Sequence, residues 1–195
     1  MTLITQDEAE NGGTTTEESL LPLSKYSEYQ KLWRVTSIVM GFIQRIKRKL
    51  KERDPGKYEH LVVKEVVDCA KVVSEVIIKE MQAEAFPEVL EYLKTKGHRK
   101  RDLPGILTRM NLYIDKRGIL RVGSKMLRFQ ERKEYVPILL PQDHHVTKLI
   151  VWKAHRVRCH NGVRAVLSEL QPQFWIIKGK ATVKKILRQC VHCRM

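Results

Sequence analysis

The sequence predicts a mainly α-helical chain with long N-terminal helices, a small β-hairpin extension and a C-terminal bundle of three helices. Apolar residues recur at steps of three and four over about 26–51, 60–84 and 146–190, which is the period of amphipathic helices. Around 112–122 the period changes, and two short apolar runs flank a turn sequence, a pattern typical of a β-hairpin. These two observations set the fold class.

The N-terminal part divides into a tail and a helical region. Residues 1–25 are rich in Thr, Glu, Asn and Gly without apolar periodicity, so we expect a disordered acidic tail. Residues 26–96 form a predicted helical connector region, whose third, short helix starts at Phe86-Pro87 and ends near Thr95. The apolar stripes of its first two helices either face the core or pair as a helical hairpin. The first stripe consists of Leu32, Val35, Val39, Phe42, Ile43, Ile46 and Leu50.

Residues 106–143 form a predicted small β-containing extension. The hairpin lies over 112–122, with Gly118 at the turn position that needs a positive φ. The segment 136–140 is also extended, and Pro137, which has no N–H to donate, predicts that it lies at an edge of the sheet.

The charge distribution points to a polyanionic partner. The net charge is +15, and residues 146–195 hold eleven Lys and Arg against one acid, Glu169. Such a field is typical of nucleic-acid binding; a solubilising surface and an anionic membrane surface are the alternatives. No apolar run is long enough to span a bilayer, and the acidic N-terminus does not resemble a secretion signal. We therefore expect a chain that is neither secreted nor membrane-embedded.

The predicted C-terminal region, 144–195, contains the constellation His155-x4-His160-x29-Cys190-x2-Cys193. Two imidazoles and two thiolates are the donor set of a tetrahedral zinc ion, and the two thiolate charges cancel the charge of the ion. We predict one structural Zn²⁺, because four protein ligands leave no position for a reactive water and a region this small gains folding energy from metal.

Each donor also has a simpler interpretation. Cys190 lies on the apolar stripe of the last helix, His155 can be a core histidine, and Cys193 can belong to a frayed end. Cys159 or His192 can substitute as a ligand. Elsewhere, Cys69 is expected to be a buried small hydrophobe, and Asn161 to be the N-cap of the second C-terminal helix. His144 and His145 are expected to be solvated.

Catalytic motifs are missing from the sequence. GxSxG, P-loop and GxGxxG patterns do not occur. A Cys159–His155 nucleophile pair has no orienting acid, and the single acid of residues 146–195 cannot hold two metal ions. We therefore predict that the chain is not an enzyme.

The zinc constellation resembles the HHCC (H2C2) zinc-binding domain of retroviral and retrotransposon integrases. The stretch from Ile138 to Arg194 is similar to that domain in BEL/Pao-type polyproteins, including His160-Asn161-Gly162-Val163 and Phe174-Trp175-Ile176. The resemblance extends upstream to about residue 26, through a helix that joins ribonuclease H to integrase in such polyproteins.

The resemblance implies a non-catalytic fragment of a retrotransposon polyprotein, because the chain ends two residues after Cys193 and the Asp, Asp, Glu catalytic core would follow. It implies DNA integration-related roles: multimerisation, and largely nonspecific DNA contact in a nuclear or cytoplasmic setting. Neither a membrane nor a small-molecule substrate is expected. The alternative is a helical self-association module in which zinc is purely structural. The implied phosphate contacts are Arg156, Arg158, Arg164, Lys178, Lys180, Lys184, Lys185 and Arg188.

Overall fold

A computed structural model describes residues 22–57, 69–94, 107, 110–123 and 136–194. These ranges contain a short 3-10 turn at Leu23–Lys25, seven α-helices and four β-strands. The helices are α1 Tyr29–Arg53, α2 Cys69–Ala85, α3 Pro87–Lys94, α4 His145–Val157, α5 Val163–Leu170, α6 Gly179–Leu187 and α7 Val191–Arg194. The strands are β1 Asn111–Ile114, β2 Leu120–Gly123, β3 Ile138–Leu140 and β4 Phe174–Ile176.

The mainly helical prediction is confirmed, and the described helices lie close to their predicted positions. Most of the predicted tail, 1–21, and the beginning of the second predicted helix, 60–68, lie outside the described residues. Leu23, which the sequence places in the tail, is buried in the 3-10 turn before α1. Among the described helices, none has both the length and the apolar composition needed to cross a bilayer.

The predicted hairpin is confirmed as β1 and β2, which pair antiparallel with Leu112 opposite Val122. Gly118 has φ +79°, and its N–H donates to the Asp115 carbonyl at 2.9 Å. Asp115 fixes the turn further, because its Oδ1 accepts from the backbone N–H groups of Arg117 and Ile119, both at 2.9 Å. A glycine at the αL position of such a turn avoids a Cβ clash.

The extended segment at 136–140 is not an edge strand, so that prediction is wrong. The sheet order is β1-β2-β3-β4, and β3 lies between β2 and β4. Pro137 is tolerated because it precedes the first paired residue; its carbonyl accepts from the Val122 N–H at 3.0 Å, and Ile138 begins the strand. Strand β4 pairs parallel to β3, with Leu139 opposite Trp175.

Strand β4 changes the expected architecture of residues 144–195. The three predicted helices are present as α4, α5 and α6, but β4 and the short α7 are added, and the expected three-helix bundle is not confirmed. The two helices that flank β4 pack on each other and on α4. Since β4 completes a sheet whose other strands come from 111–140, the C-terminal region shares its core with the rest of the chain.

The sheet lies between two apolar clusters. The first contains Leu140 and Ile176 from the sheet, and it joins Leu32 of α1 and Ile77 of α2 to the C-terminal helices. The second lies on the opposite side and contains Leu139 and Val122 with residues of α3. Alternating residues of β3 therefore serve opposite clusters, as strand geometry requires.

One buried side chain joins α2 to the sheet where the β2–β3 ladder is short. Gln82 is 1% exposed. Its Nε2 donates to the carbonyls of Leu120 and Leu139, each at 2.9 Å, and its Oε1 accepts from the Leu120 N–H at 2.8 Å. The amide thus bonds Leu120 as a neighbouring strand would, and no polar group of this side chain is left without a partner.

Two histidines at the start of α4 make tertiary contacts, so the expectation that they are solvated is wrong. The Val146 N–H donates to His144 Nδ1 at 3.1 Å, which caps the helix, and His144 Nε2 lies 2.9 Å from Glu84 Oε2. His145 Nε2 donates to the Tyr26 carbonyl at 2.6 Å. These contacts tie the start of α4 to α2 and to the segment before α1.

Candidate metal centre

Four donor side chains converge at the end of the molecule where α4 and α6 finish. His155 lies in the last turn of α4, and His160 lies in the turn that follows it. Cys190 lies just after α6, and Cys193 lies in α7. His155 and Cys190 are buried, His160 is half-buried, and Cys193 is exposed.

The C-terminus of α4 explains the five-residue spacing of the histidines. The His160 N–H donates to the His155 carbonyl at 2.9 Å, and the Cys159 N–H donates to the Arg156 carbonyl at 3.0 Å. This pair of bonds is a Schellman motif, in which the second residue beyond the cap returns over the last turn. Cys159 has φ +48° and His160 has φ +61°, a region that non-glycine residues rarely adopt. The backbone therefore turns His160 back beside His155.

The ligand atoms lie close enough together to surround one ion, at separations near those of a tetrahedral site. His155 Nε2 lies 3.1 Å from His160 Nδ1 and 3.4 Å from Cys193 Sγ. His160 Nδ1 lies 3.2 Å from Cys190 Sγ and 4.0 Å from Cys193 Sγ. All four atoms lie within 4.8 Å of one another. Ligands of a tetrahedral zinc ion are about 3.3 to 3.8 Å apart, given its bond lengths of about 2.0 Å to nitrogen and 2.3 Å to sulfur.

The electrostatics of the cluster also favour a cation. Burial, with the neighbouring His160, holds the pKa of His155 below its ordinary value, while the backbone of Asn161 acts in the opposite direction. The imidazole is therefore neutral at pH 7, the form that binds metals. Desolvation and the neighbouring Cys190 raise the pKa of the Cys193 thiol. A divalent ion removes that penalty, because it stabilises both thiolates.

The ring nitrogen of His155 that does not face the other donors is Nδ1. Metal-binding histidines normally use this second nitrogen in a hydrogen bond. Within the described part of the chain, Nδ1 of His155 is buried without a hydrogen bond of ordinary geometry. The ring is held instead by packing, with the Trp152 ring in an edge contact at 5.7 Å.

The structure separates the four donors from the two alternatives. Cys159 is exposed and does not belong to the group of converging atoms. His192 is also outside the group, although its ring lies 4.9 Å from that of His160. The expected N-cap of α5 is wrong by one residue: Gly162 occupies that position, and Asn161 precedes it. The side chain of Cys69 lies outside the described residues.

Residues 142–195 match the family model of the integrase zinc binding domain. This region is therefore similar to the integrase zinc binding domain, and its four converging donors are the two histidines and two cysteines that the name H2C2 describes. The name also supplies the identity of the metal, zinc, which the donor set independently favours. No curated protein and no solved structure gives a significant match to the chain.

Three of the eight predicted phosphate contacts in and around the zinc-binding domain are ion-paired. Arg156 lies 3.0 Å from Glu28, Arg158 lies 2.5 Å from Glu169, and Lys185 lies 3.0 Å from Asp143. The sequence did not indicate these pairs, because their partners are far away along the chain or look like isolated surface acids. A base that already faces a carboxylate is less available to a phosphate.

The other five are exposed, and no described acid lies within ion-pair distance of them. They are Arg164, Lys178, Lys180, Lys184 and Arg188. The last three recur every four residues along α6 and its C-cap, which places them on one side of that helix. The stripe ends two residues before Cys190, so it reaches the metal centre.

Proposed function

We propose that the chain is an integrase-related region of BEL/Pao type whose zinc-binding domain contacts DNA. The observation that carries this proposal is the position of the basic stripe on α6, Lys180, Lys184 and Arg188, on the helix that the zinc ligands Cys190 and Cys193 fix at its C-terminal end. Exposed Lys and Arg at helical spacing can follow a row of phosphates, and their contribution comes from release of counterions. Contacts to phosphate carry little sequence preference.

The zinc ion supplies a structural role in this proposal. His155 and His160 hold it from the end of α4, and the two cysteines hold it from the end of α6. The ion thereby fixes the direction in which α6 presents its bases. Because all four ligands come from the protein, no position is left for a reactive water, and we assign no catalytic step to this domain.

The DNA proposal is tested by replacing the free bases and the paired bases separately. The first variant carries Lys180→Ala, Lys184→Ala and Arg188→Ala; the matched control carries Arg156→Ala, Arg158→Ala and Lys185→Ala and loses the same formal charge. Fluorescence anisotropy with a short duplex is measured over a range of salt concentrations. For the first variant we expect weaker binding and a salt slope reduced by about 0.9 per lost contact. We expect a much smaller change for the control.

Two outcomes contradict this proposal. If the wild-type chain does not bind duplex DNA at low salt, the nucleic-acid role is wrong. If both variants lose the same affinity, binding depends on total charge and the stripe is not the contact surface. Zinc content must be equal in all three proteins, so that a loss of fold is not mistaken for a loss of contact.

A second candidate function is self-association, as the alternative interpretation of the sequence requires. It is favoured by the exposed apolar residues on one side of α1, which lie outside the zinc-binding domain. The two functions are compatible.

A further inference from the structure

One side of α1 exposes apolar side chains, most of them from the stripe that the sequence predicted either to face the core or to pair in a helical hairpin. Of the predicted stripe, only Leu32 is buried; the helix packs through a neighbouring side, formed by Leu32 and Thr36 with Tyr29, Trp33 and Met40 around them. Ile38 is 67% exposed and Phe42 is 62% exposed. The complete exposed set is Val35, Ile38, Val39, Phe42, Ile43 and Ile46.

The size of this surface lies in the upper part of the range for the largest apolar patch on a monomer. Six large side chains with these exposures present on the order of 500 Å² of apolar surface, near the upper end for the largest patch on a soluble monomer. Two such surfaces in contact bury about 1,000 Å², the least that a specific interface needs. The patch therefore has the area of one half of a dimer interface.

The spacing of the set is self-complementary. When two copies of α1 run antiparallel with residue 35 level with residue 46, Val39 is level with Phe42 and Ile38 with Ile43. Val35 then meets Ile46 and Val39 meets Phe42 across the centre, while Ile38 and Ile43 lie on the two flanks, each on the same side as its own counterpart in the other copy, as a two-fold interface requires. Val35, Val39, Phe42 and Ile46 also alternate steps of four and three, the spacing of a coiled-coil seam.

We propose that α1 pairs with α1 of a second copy of this chain, antiparallel and centred between Met40 and Gly41. This inference deepens the second candidate function by naming its surface and its direction. Because α2 packs along α1 in each copy, the pair forms a four-helix arrangement. The occupant of the apolar side in this proposal is a second copy, and the acidic segment 1–21 is an outcome that the test below distinguishes.

The charges beside the seam give the pairing a recognisable salt dependence. Lys31 and Lys49 are exposed and border the apolar side, and in the antiparallel register Lys31 of one copy approaches Lys49 of the other. This repulsion is screened by salt. Self-association is therefore expected to strengthen between 50 and about 300 mM salt, whereas phosphate contact weakens over the same interval.

The surface is tested with the full-length, zinc-loaded chain by analytical ultracentrifugation. We expect a concentration-dependent dimer, and a loss of at least tenfold in self-affinity when Ile38→Ser and Phe42→Ser are combined. Val157→Ser is the matched control, because Val157 is 60% exposed on α4 and its replacement leaves the net charge unchanged. Circular dichroism and zinc content verify that both variants remain folded.

The direction is tested by cross-linking in a background where Cys159 is replaced by Ser. Chains with Val35→Cys mixed with chains carrying Ile46→Cys should form a disulfide-linked dimer, since the two positions are level. Chains with Val35→Cys alone should not, because the two copies of position 35 lie about 16 Å apart along the axis at a rise of 1.5 Å per residue. Cross-linking of Val35→Cys alone would overturn the antiparallel register.

The possible outcomes distinguish the α1–α1 interface from self-association in general, the candidate function on which it rests. A wild-type chain that stays monomeric overturns both self-association and the α1 interface. A dimer that survives the α1 substitutions overturns the α1 interface and leaves self-association in place. A monomer that dimerises only after residues 1–21 are removed overturns the proposal in favour of the acidic segment as the occupant.

Discussion

Among the described residues, the buried polar cluster at the sheet and the partly buried cluster at the metal centre differ in what completes them. At the sheet, the Gln82 amide and the backbone of Leu120 and Leu139 satisfy one another, donor against acceptor, with distances of 2.8 and 2.9 Å. At the metal centre, two ring nitrogens and two sulfurs converge on one point, as the donors of a single metal ion would. The first cluster is complete as protein alone. The second has the donor set of a zinc ion, so we expect the ends of α4 and α6 to depend on metal.

The largest effect is expected from removal of a zinc ligand. Cys190→Ser, or chelation of the wild-type chain, removes a stabilisation on the order of 10 kcal/mol of apparent binding energy. We expect the metal content to fall from about one per chain to none, with the ends of α4 and α6 and all of α7 losing structure. Hydrogen exchange should rise at 155–163 and 187–194 and change little at 73–82.

Two results would contradict the expected dependence of this centre on metal. If purified chain contains no metal, or if exchange at the two ends of the centre is unchanged by chelation, the four donors are held by packing alone. Cys159→Ser serves as the control, since that exposed thiol is not a ligand and its loss should leave the metal content unchanged.

The second-largest effect, a loss of folding stability, is expected from substitution of Gln82, whose cluster is complete without metal. Gln82→Leu leaves the Leu120 N–H and two carbonyls buried without partners, each at a cost of about 1–3 kcal/mol. We expect the free energy of unfolding in urea to fall by about 3 kcal/mol or more, while zinc content stays the same. Gln30→Leu, at an exposed position of α1, should change stability by less than about 0.5 kcal/mol. A drop in zinc content with Gln82→Leu would show that the two clusters are coupled.

The smallest effect is a gain in stability. Cys159 occupies the position of the Schellman motif where glycine is normally found, with φ +48°. Cys159→Gly should therefore stabilise the zinc-loaded chain by about 0.5–1 kcal/mol, seen as a higher melting temperature. Cys159→Val, whose branched Cβ tolerates this conformation poorly, should lower it. A loss of stability with glycine would mean that Cys159 has a role that its exposure does not reveal.

The positions of the helices and of the zinc ligands could be predicted from the sequence because both signals are local. Helical periodicity placed α1, α3 and α5 closely, and the two histidines and two cysteines lie at spacings that a helix end and its following turn can bring together. The Schellman geometry that makes the spacing of His155 and His160 work was not foreseen, since Cys159 gives no glycine signal at that position.

The remainder depends on contacts that the sequence does not encode locally. Phe174-Trp175-Ile176 is too short to distinguish a strand from an apolar turn, and only the position of β3 makes it one. The apolar stripe of α1 shows an amphipathic helix but not which of its sides meets α2. The acids that pair with Arg156 and Lys185 are Glu28 and Asp143, and their proximity follows from the tertiary fold.

Strand β4 also determines whether the zinc-binding region can be excised from the chain or transferred to another protein. A cut between residues 141 and 142 follows the family boundary but would strip β4 of β3, its only partner in the described sheet. It would also uncover Val146 and Val151, which are fully buried in the shared core. The fragment 142–195 is therefore not expected to fold well alone, because it would expose an unpaired strand edge and the apolar face of α4. A graft of this region into another protein would have to include the β-hairpin and α2.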